Sequence, residues 1–194
     1  DALVALDPPQ VDTLARSAFD TPLTLLVDPR AATLNGDVAI EIADLVAQNG
    51  VLHVIDQVLV PLSAADAAAA LELTGLLDAA TVAAALPDGS TVADALTEGD
   101  GPFTVFAPTD DAFDAASGTV DGLSAEQLRD VLLFHVTDPA SINAPIFAMD
   151  LPAPPGGDVT TLLGDPASID TSASPPTVEG AMIVRTDVGV TNGV

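Results

Sequence analysis

Gly101-Pro102-Phe103-Thr104-Val105-Phe106-Ala107-Pro108-Thr109-Asp110-Asp111-Ala112-Phe113 is the stretch whose reading decides the fold. It follows a strong break, Gly99-Asp100-Gly101-Pro102. Phe103–Phe106 then reads as a short buried strand. Pro108-Thr109-Asp110-Asp111 reads as a helix start: the Thr109 hydroxyl can accept from a first-turn N–H, and the two acids suit the positive end of the helix dipole.

Working outward, helices are expected before this stretch and strands after the next helix. Ser63–Leu86 is rich in Ala and Leu with no interior proline. Ser63 is its natural N-cap, and Gly75 is expected to divide it into two helices. Val92–Leu96 reads as a further short helix. Ser124-Ala125-Glu126-Gln127 is a capping box, behind which Leu128, Val131, Leu132 and His135 recur on one helical face. Val159–Leu163, Ile169, Thr177–Val178 and Ala181–Arg185 are strand candidates separated by Pro and Gly. Towards the N-terminus, residues 23–27 and 38–46 carry short apolar runs with the turn pair Asn35-Gly36 between them. Asn49-Gly50 marks a second turn, followed by a strand over Val51–Val60 that Pro61 closes. Helices clustered in one half and strands in the other predict an α+β fold.

An internal repeat runs through these elements. Thr24–Pro29 matches Thr161–Pro166, Thr33-Leu34-Asn35-Gly36 matches Thr177-Val178-Glu179-Gly180, and Asp44–Val51 matches Asp187–Val194. The repeat is out of phase with the chain. Residues 1–62 read as the closing part of a first unit, and 63–194 as a second unit lacking its last strand. With no initiator Met and no signal peptide, the sequence is expected to be a mature or internal piece, any signal or anchor lying outside it.

Composition limits the function. Among 194 residues there are 29 acids and four bases, a formal net charge of −25. The bases are Arg16, Arg30, Arg129 and Arg185; lysine is absent. Ordinary nucleic-acid binding needs cations to neutralise phosphates, and anionic membrane surfaces repel such a chain. The acids are spread through a sequence that is 48% hydrophobic, unlike a disordered acidic tail. Adaptation to high salt fits best: at molar salt the Debye length falls to about 3 Å and self-repulsion is screened. With no cysteine there is no disulfide framework, thiolate metal site or cysteine nucleophile. No apolar run is long enough to span a bilayer.

The motifs resemble those of fasciclin-type (FAS1) domains. Gly101–Phe113 resembles the family's first block almost letter for letter. Leu132-Leu133-Phe134-His135-Val136 resembles the central block, with Phe134 where the family often has Tyr. Asn49–Pro61 resembles the closing block. The resemblance covers nearly the whole chain. It implies a twisted β-sheet wedge with helices packed around it, and an extracellular or surface-anchored module for adhesion or matrix binding, often in tandem. Other proteins or surface glycans are the implied partners. Neighbouring copies of the chain are another, since strand completion between copies would build a filament or surface layer. Phe134 and His135 are the adhesion-motif candidates; against this, His135 also reads as a core histidine. No enzyme, metal or cofactor is expected. No Gly-x-Ser-x-Gly elbow, phosphate loop or His-Glu-x-x-His helix occurs. Asp110, Asp111 and Asp114 are grouped tightly enough to raise calcium, but helix initiation accounts for the first two. His53 and Asp56 read as structural, and the histidines share no metal-ligand spacing.

Overall fold

The computed structural model describes residues 10–99, 101–141, 144–153 and 155–194, so Asp100 of the predicted break and residues 1–9 of the first unit lie outside it. The fold is α+β, with two antiparallel sheets and five helices among the described residues. The first sheet runs in chain order: β1 (Gln10–Arg16), β2 (Pro22–Asp28), β3 (Thr33–Leu34), β4 (Val38–Ala47) and β5 (Gly50–Ile55). The helices follow: α1 (Ala64–Ala70), α2 (Thr74–Val82), α3 (Val92–Glu98), α4 (Asp110–Val120) and α5 (Ala125–Phe134). The second sheet, β6 (Gly156–Thr160), β7 (Pro166–Asp170), β8 (Thr177–Val178) and β9 (Ala181–Met182), also runs in chain order.

Helix starts sit where side-chain chemistry puts them. Ser63, Thr91 and Ser124 each accept from the backbone N–H three residues on, and Asp66, Asp94 and Gln127 return the bond. Thr109 caps α4 through the Ala112 N–H. The division between α1 and α2 is not at Gly75 but at Leu71–Leu73, where Glu72 takes a left-handed φ of 58°. Gly75 lies in the first turn of α2 for a packing reason. A Cβ there would stand 2.9 Å from Cγ of Phe113, so the absent side chain makes room for the α4 ring.

The helical core comprises Ala68 of α1, Leu76, Ala79 and Ala80 of α2, Val92 and Leu96 of α3, Leu128 and Leu132 of α5, and Phe103 and Val136. Val159, Ala167 and Ile169 form a second cluster in the β6–β7 hairpin, with Phe106 and Phe134 packed against it. A third cluster, Val27, Leu34 and Val38, lies in the first sheet. The outer part of that sheet is open: Val46, Val51 and Leu52 are 85%, 52% and 60% exposed.

Strand boundaries correct the sequence reading in several places: β6 is Gly156–Thr160 rather than Val159–Leu163, and β9 ends at Met182 rather than Arg185. The β4–β5 turn is Gln48-Asn49, closed by the Ala47–Gly50 pair, so Gly50 opens the strand. β5 ends at Ile55, not Val60, and Gln57–Val60 belongs to no strand. Phe103–Phe106 forms single bridges on each side, not a ladder.

The two β segments share a hydrogen-bond pattern. Asn35 and Gly36 have φ values of 52° and 93°; Glu179 and Gly180 have 50° and 80°. The Leu26 N–H donates to Asn35 Oδ1, as the Ser168 N–H donates to Glu179 Oε1. The backbone N–H of Asn35 and of Glu179 returns to the carbonyl of Leu26 and of Ser168. Asp44 and Asp187 share left-handed φ values of 59° and 63°, and the Ala47–Gly50 pair recurs as Val190–Gly193. β2 therefore corresponds to β7: Val27 faces Leu34 as Ile169 faces Val178. The match of Thr24–Pro29 to Thr161–Pro166 is displaced from this register. Thr161–Asp165 forms the β6–β7 turn, where the Thr161 hydroxyl and N–H both donate to the Asp165 carbonyl.

Candidate functional site

Phe103–Phe106 is the hub to which the other motifs attach. On one side, Val105 bridges Val136 antiparallel; the Phe106 N–H donates to the His135 carbonyl and the Thr137 N–H to the Thr104 carbonyl. The Thr104 N–H donates to the Thr137 hydroxyl at 2.9 Å, and Thr137 is fully buried. On the other side, Phe103 pairs in parallel with Gly193. The Phe103 N–H donates to the Asn192 carbonyl, the Val194 N–H to the Phe103 carbonyl, and the Val105 N–H to the Val194 carbonyl. A Cβ on Gly193 would come 2.1 Å from the Phe103 carbonyl oxygen, so the approach requires glycine.

Asn192 was legible in the sequence only as part of a repeat anchor, yet it ties three elements together. Its Oδ1 accepts from the Ala64 N–H at the start of α1, and its Nδ2 donates to the Leu96 carbonyl in α3 at 2.8 Å. The Thr191 N–H reaches the Leu62 carbonyl. Nothing in single-sequence patterning reports such a bridge, because its partners lie 128 and 96 residues away.

The predicted site residues fall at the C-terminal end of α5. Phe134 is half-buried and packs on the β6–β7 cluster. His135 is half-buried rather than fully in the core, because α5 ends at Phe134 and His135 becomes the C-cap. Its Nδ1 lies 2.8 Å from the Val131 carbonyl. A carbonyl only accepts, so Nδ1 carries the proton and Nε2 is left as the acceptor. His53 is held the other way: its Nδ1 accepts from the Asp44 N–H. Asp56 accepts from the Ala39 N–H at 2.8 Å, which fixes the end of β5 to β4.

Asp110 takes part in the contact between two helices. Its oxygens accept from the Thr74 hydroxyl at 2.6 Å and the Gly75 N–H at 2.9 Å, so this α4 residue satisfies the N-terminus of α2. The Thr74 hydroxyl, then the Gly75 N–H, hold its carboxyl below the ordinary value. Among the described residues, no group of three His, Cys, Asp or Glu side chains is arranged to hold a metal ion.

An apolar cleft of about 750 Å³ lies between the helices and β9, bordered by Leu76, Val105, Phe106, His135, Ile183 and Val188. No helix among the described residues is long and apolar enough to cross a membrane.

Comparison with known proteins agrees with this architecture. The Fasciclin domain family matches residues 78–194. Protein sll1483 of Synechocystis sp. (strain ATCC 27184 / PCC 6803 / Kazusa) is 35% identical over 99 residues, 48% of this chain and 51% of that protein. The chain thus spans about half the length of this curated relative. Among solved structures, a FAS1 domain pair from the insect cell adhesion molecule fasciclin I is similar with a TM-score of 0.53 and 18% identity, over 90% of this chain and 65% of that one. The family match covers more than half of the sequence and includes the Phe103–Phe113 motif, the α5 motif and the Asn192-Gly193 bridge, and the chain belongs to the fasciclin-domain (FAS1) family.

Proposed function

We propose that this chain is an extracellular adhesion or matrix-binding module made of two fasciclin-like units, the closing part of one over residues 1–62 and most of a second over 63–194. It binds other proteins or surface glycans through its faces and carries no reaction centre. The recurring register supports two units: the paired turns at Asn35-Gly36 and Glu179-Gly180 and the paired left-handed Asp44 and Asp187 are hard to obtain by chance. The observation that carries the adhesion reading is where the motif residues go. Asp56 and Asp110 are spent on backbone contacts, whereas Phe134 and His135 are only half-buried and apolar side chains of β4 and β5 stand exposed. A surface working in high salt accounts for the charge. Among the described residues only two ion pairs occur, Arg16–Asp20 and Arg129–Asp130, so nearly all the described acids lack a cationic partner.

Phe134 and His135 remain the proposed centre of the contact surface, with His135 Nε2 as its polar acceptor. Beads coated with the chain, incubated in molar KCl with uncoated beads and with a panel of immobilised extracellular proteins and glycans, test the reading. Saturable capture that an excess of soluble chain competes away is the expected result. Dispersed beads with no saturable ligand would sink it. A second reading is a subunit of a filament or surface layer, in which the exposed apolar side chains of β4 and β5 would meet neighbouring copies.

A further inference from the structure

We propose that Ser174, in the loop between β7 and β8, is an attachment site for an O-linked sugar. The sugar comes from a nucleotide-activated or lipid-phosphate-activated donor. The Ser174 Oγ bonds to the anomeric carbon, the bond from that carbon to phosphate breaks, and its electron pair leaves with the phosphate. The hydroxyl proton passes to a base of the transferase.

The first support is the chemistry of the loop. β7 and β8 pair as far as Asp170 with Thr177, and Thr171–Pro176 lies beyond that last rung. This stretch reads Thr-Ser-Ala-Ser-Pro-Pro and carries no charge, in a chain holding 29 acids. Pro175 and Pro176 have no N–H, so neither can add a rung to the ladder. Hydroxyls interleaved with proline are the composition of O-glycosylated segments. A transferase has to draw its acceptor in as free backbone, and this loop is exposed from Ser172 to Pro175.

The second support singles out one of the four hydroxyls between Asp170 and Glu179. The Thr171 hydroxyl donates to the Pro152 carbonyl at 2.8 Å, and the Ser172 hydroxyl donates to Asp170 Oδ1 at 2.6 Å. Thr177 is half-buried in β8. Ser174 is exposed, and its hydroxyl has no hydrogen-bond partner among the described residues.

The third support is the corresponding loop of the first sheet, and this comparison rests on the two-unit reading above. Asp28 Oδ1 accepts from the Arg30 and Ala31 N–H groups, as Asp170 Oδ1 accepts from the Ser172 N–H, so the two loops leave their strands alike. Arg30–Ala32 is exposed with the helices of the second unit following it, and Ser172–Pro175 is exposed with the helices of its own unit in place. The position therefore stands clear of the fold in both settings. Only the second loop offers a hydroxyl at its tip. A sugar suits it better than a phosphate does. Phosphate would set a charge of about −1.5 to −2 between Asp170 and Glu179 and be repelled, whereas a neutral sugar hydrates the Ala-Pro surface without adding charge.

Mass spectrometry of the chain made by its own cells tests the assignment. Cleavage after acidic residues releases Thr171–Glu179 as one peptide, and fragmentation that spares glycosidic bonds locates any added mass. The expected result is a whole number of sugar residues on Ser174, lost from Ser174→Ala chains and kept by Ser172→Ala chains. The peptide containing Arg30–Ala32 should be bare at that tip. Thermal melts show that both variants fold. A bare Thr171–Glu179 peptide from the unaltered chain overturns the proposal, and this result needs no variant. Sugar on Thr171, Ser172 or Thr177 with Ser174 unmodified overturns it too, as does an added mass that a phosphatase removes. None of these failures would touch the adhesion reading, which the bead assay decides, or the two-unit reading, which stands on the paired turns.

Discussion

Gly189 joins the first sheet to the C-terminal segment, and Gly189→Ala should separate them. The Gly189 carbonyl accepts from the Thr24 N–H at 2.9 Å, and its N–H donates to the Thr24 hydroxyl at 2.8 Å. A Cβ at this position would stand 2.0 Å from the Pro22 carbonyl oxygen and 3.3 Å from the Thr24 hydroxyl. The first of these neighbours is backbone and cannot rotate aside, so the two segments must move apart. Two buried hydrogen bonds are then lost at about 1 kcal/mol each, and the displaced packing brings the total to about 2–4 kcal/mol. At about 2–4 °C per kcal/mol for a chain of this size, the melting temperature should fall by roughly 4–16 °C. Gly118→Ala is the control, because α4 leaves open space around its Cβ and alanine is the better helix former. Thermal melts in molar KCl measure both. Hydrogen exchange should show faster exchange at Thr24 in the Gly189 variant and none of this in the control. A Gly189→Ala melt within about 0.5 kcal/mol of the unaltered chain would refute the junction.

Three further outcomes are expected. Raising KCl from dilute to molar should raise the melting temperature steadily, since the net charge of −25 is screened; a flat or falling series removes the salt-adaptation reading. His135→Asp should cost about 1–2 kcal/mol, from the lost bond to the Val131 carbonyl and a carboxylate at the negative end of α5. If stability is unchanged while ligand capture is lost, His135 belongs to the contact surface alone. Acid should weaken the caps. The carboxyls of Asp94 and Asp110 are held below the ordinary Asp value of 3.8, by Thr91 and Thr74 in turn. Their folded values lie below their unfolded ones, so this stability is fully present above pH 3.8 and is lost as pH falls through the lower folded values. Helix content followed by circular dichroism from pH 6 to about 2 checks it; unchanged helicity below the ordinary Asp value would contradict the capping roles.

The sequence by itself determined what depends on neighbours along the chain. Ser63, Thr91, Thr109 and Ser124 start helices because a cap needs only the next three residues. The turn at Asn35-Gly36 follows from residues that tolerate left-handed backbone, and the two later repeat anchors follow from like residues at like spacing. Family membership came from the Phe103–Phe113 motif for the same reason: its signal is local and contiguous. What depends on contact across the chain was decided only in three dimensions. Gly75 looked like a helix break because glycine usually is one, whereas the Phe113 ring packed over it keeps it in α2. His135 shared an apolar face by spacing, but the end of α5 at Phe134 left it half-buried. Letter similarity favoured the Thr24–Thr161 match, and the pairing of β6 with β7 placed Thr161 in a turn instead. The bridge made by Asn192 has no local signature, because hydrogen bonds across about a hundred residues exist only once the sheets and helices have packed.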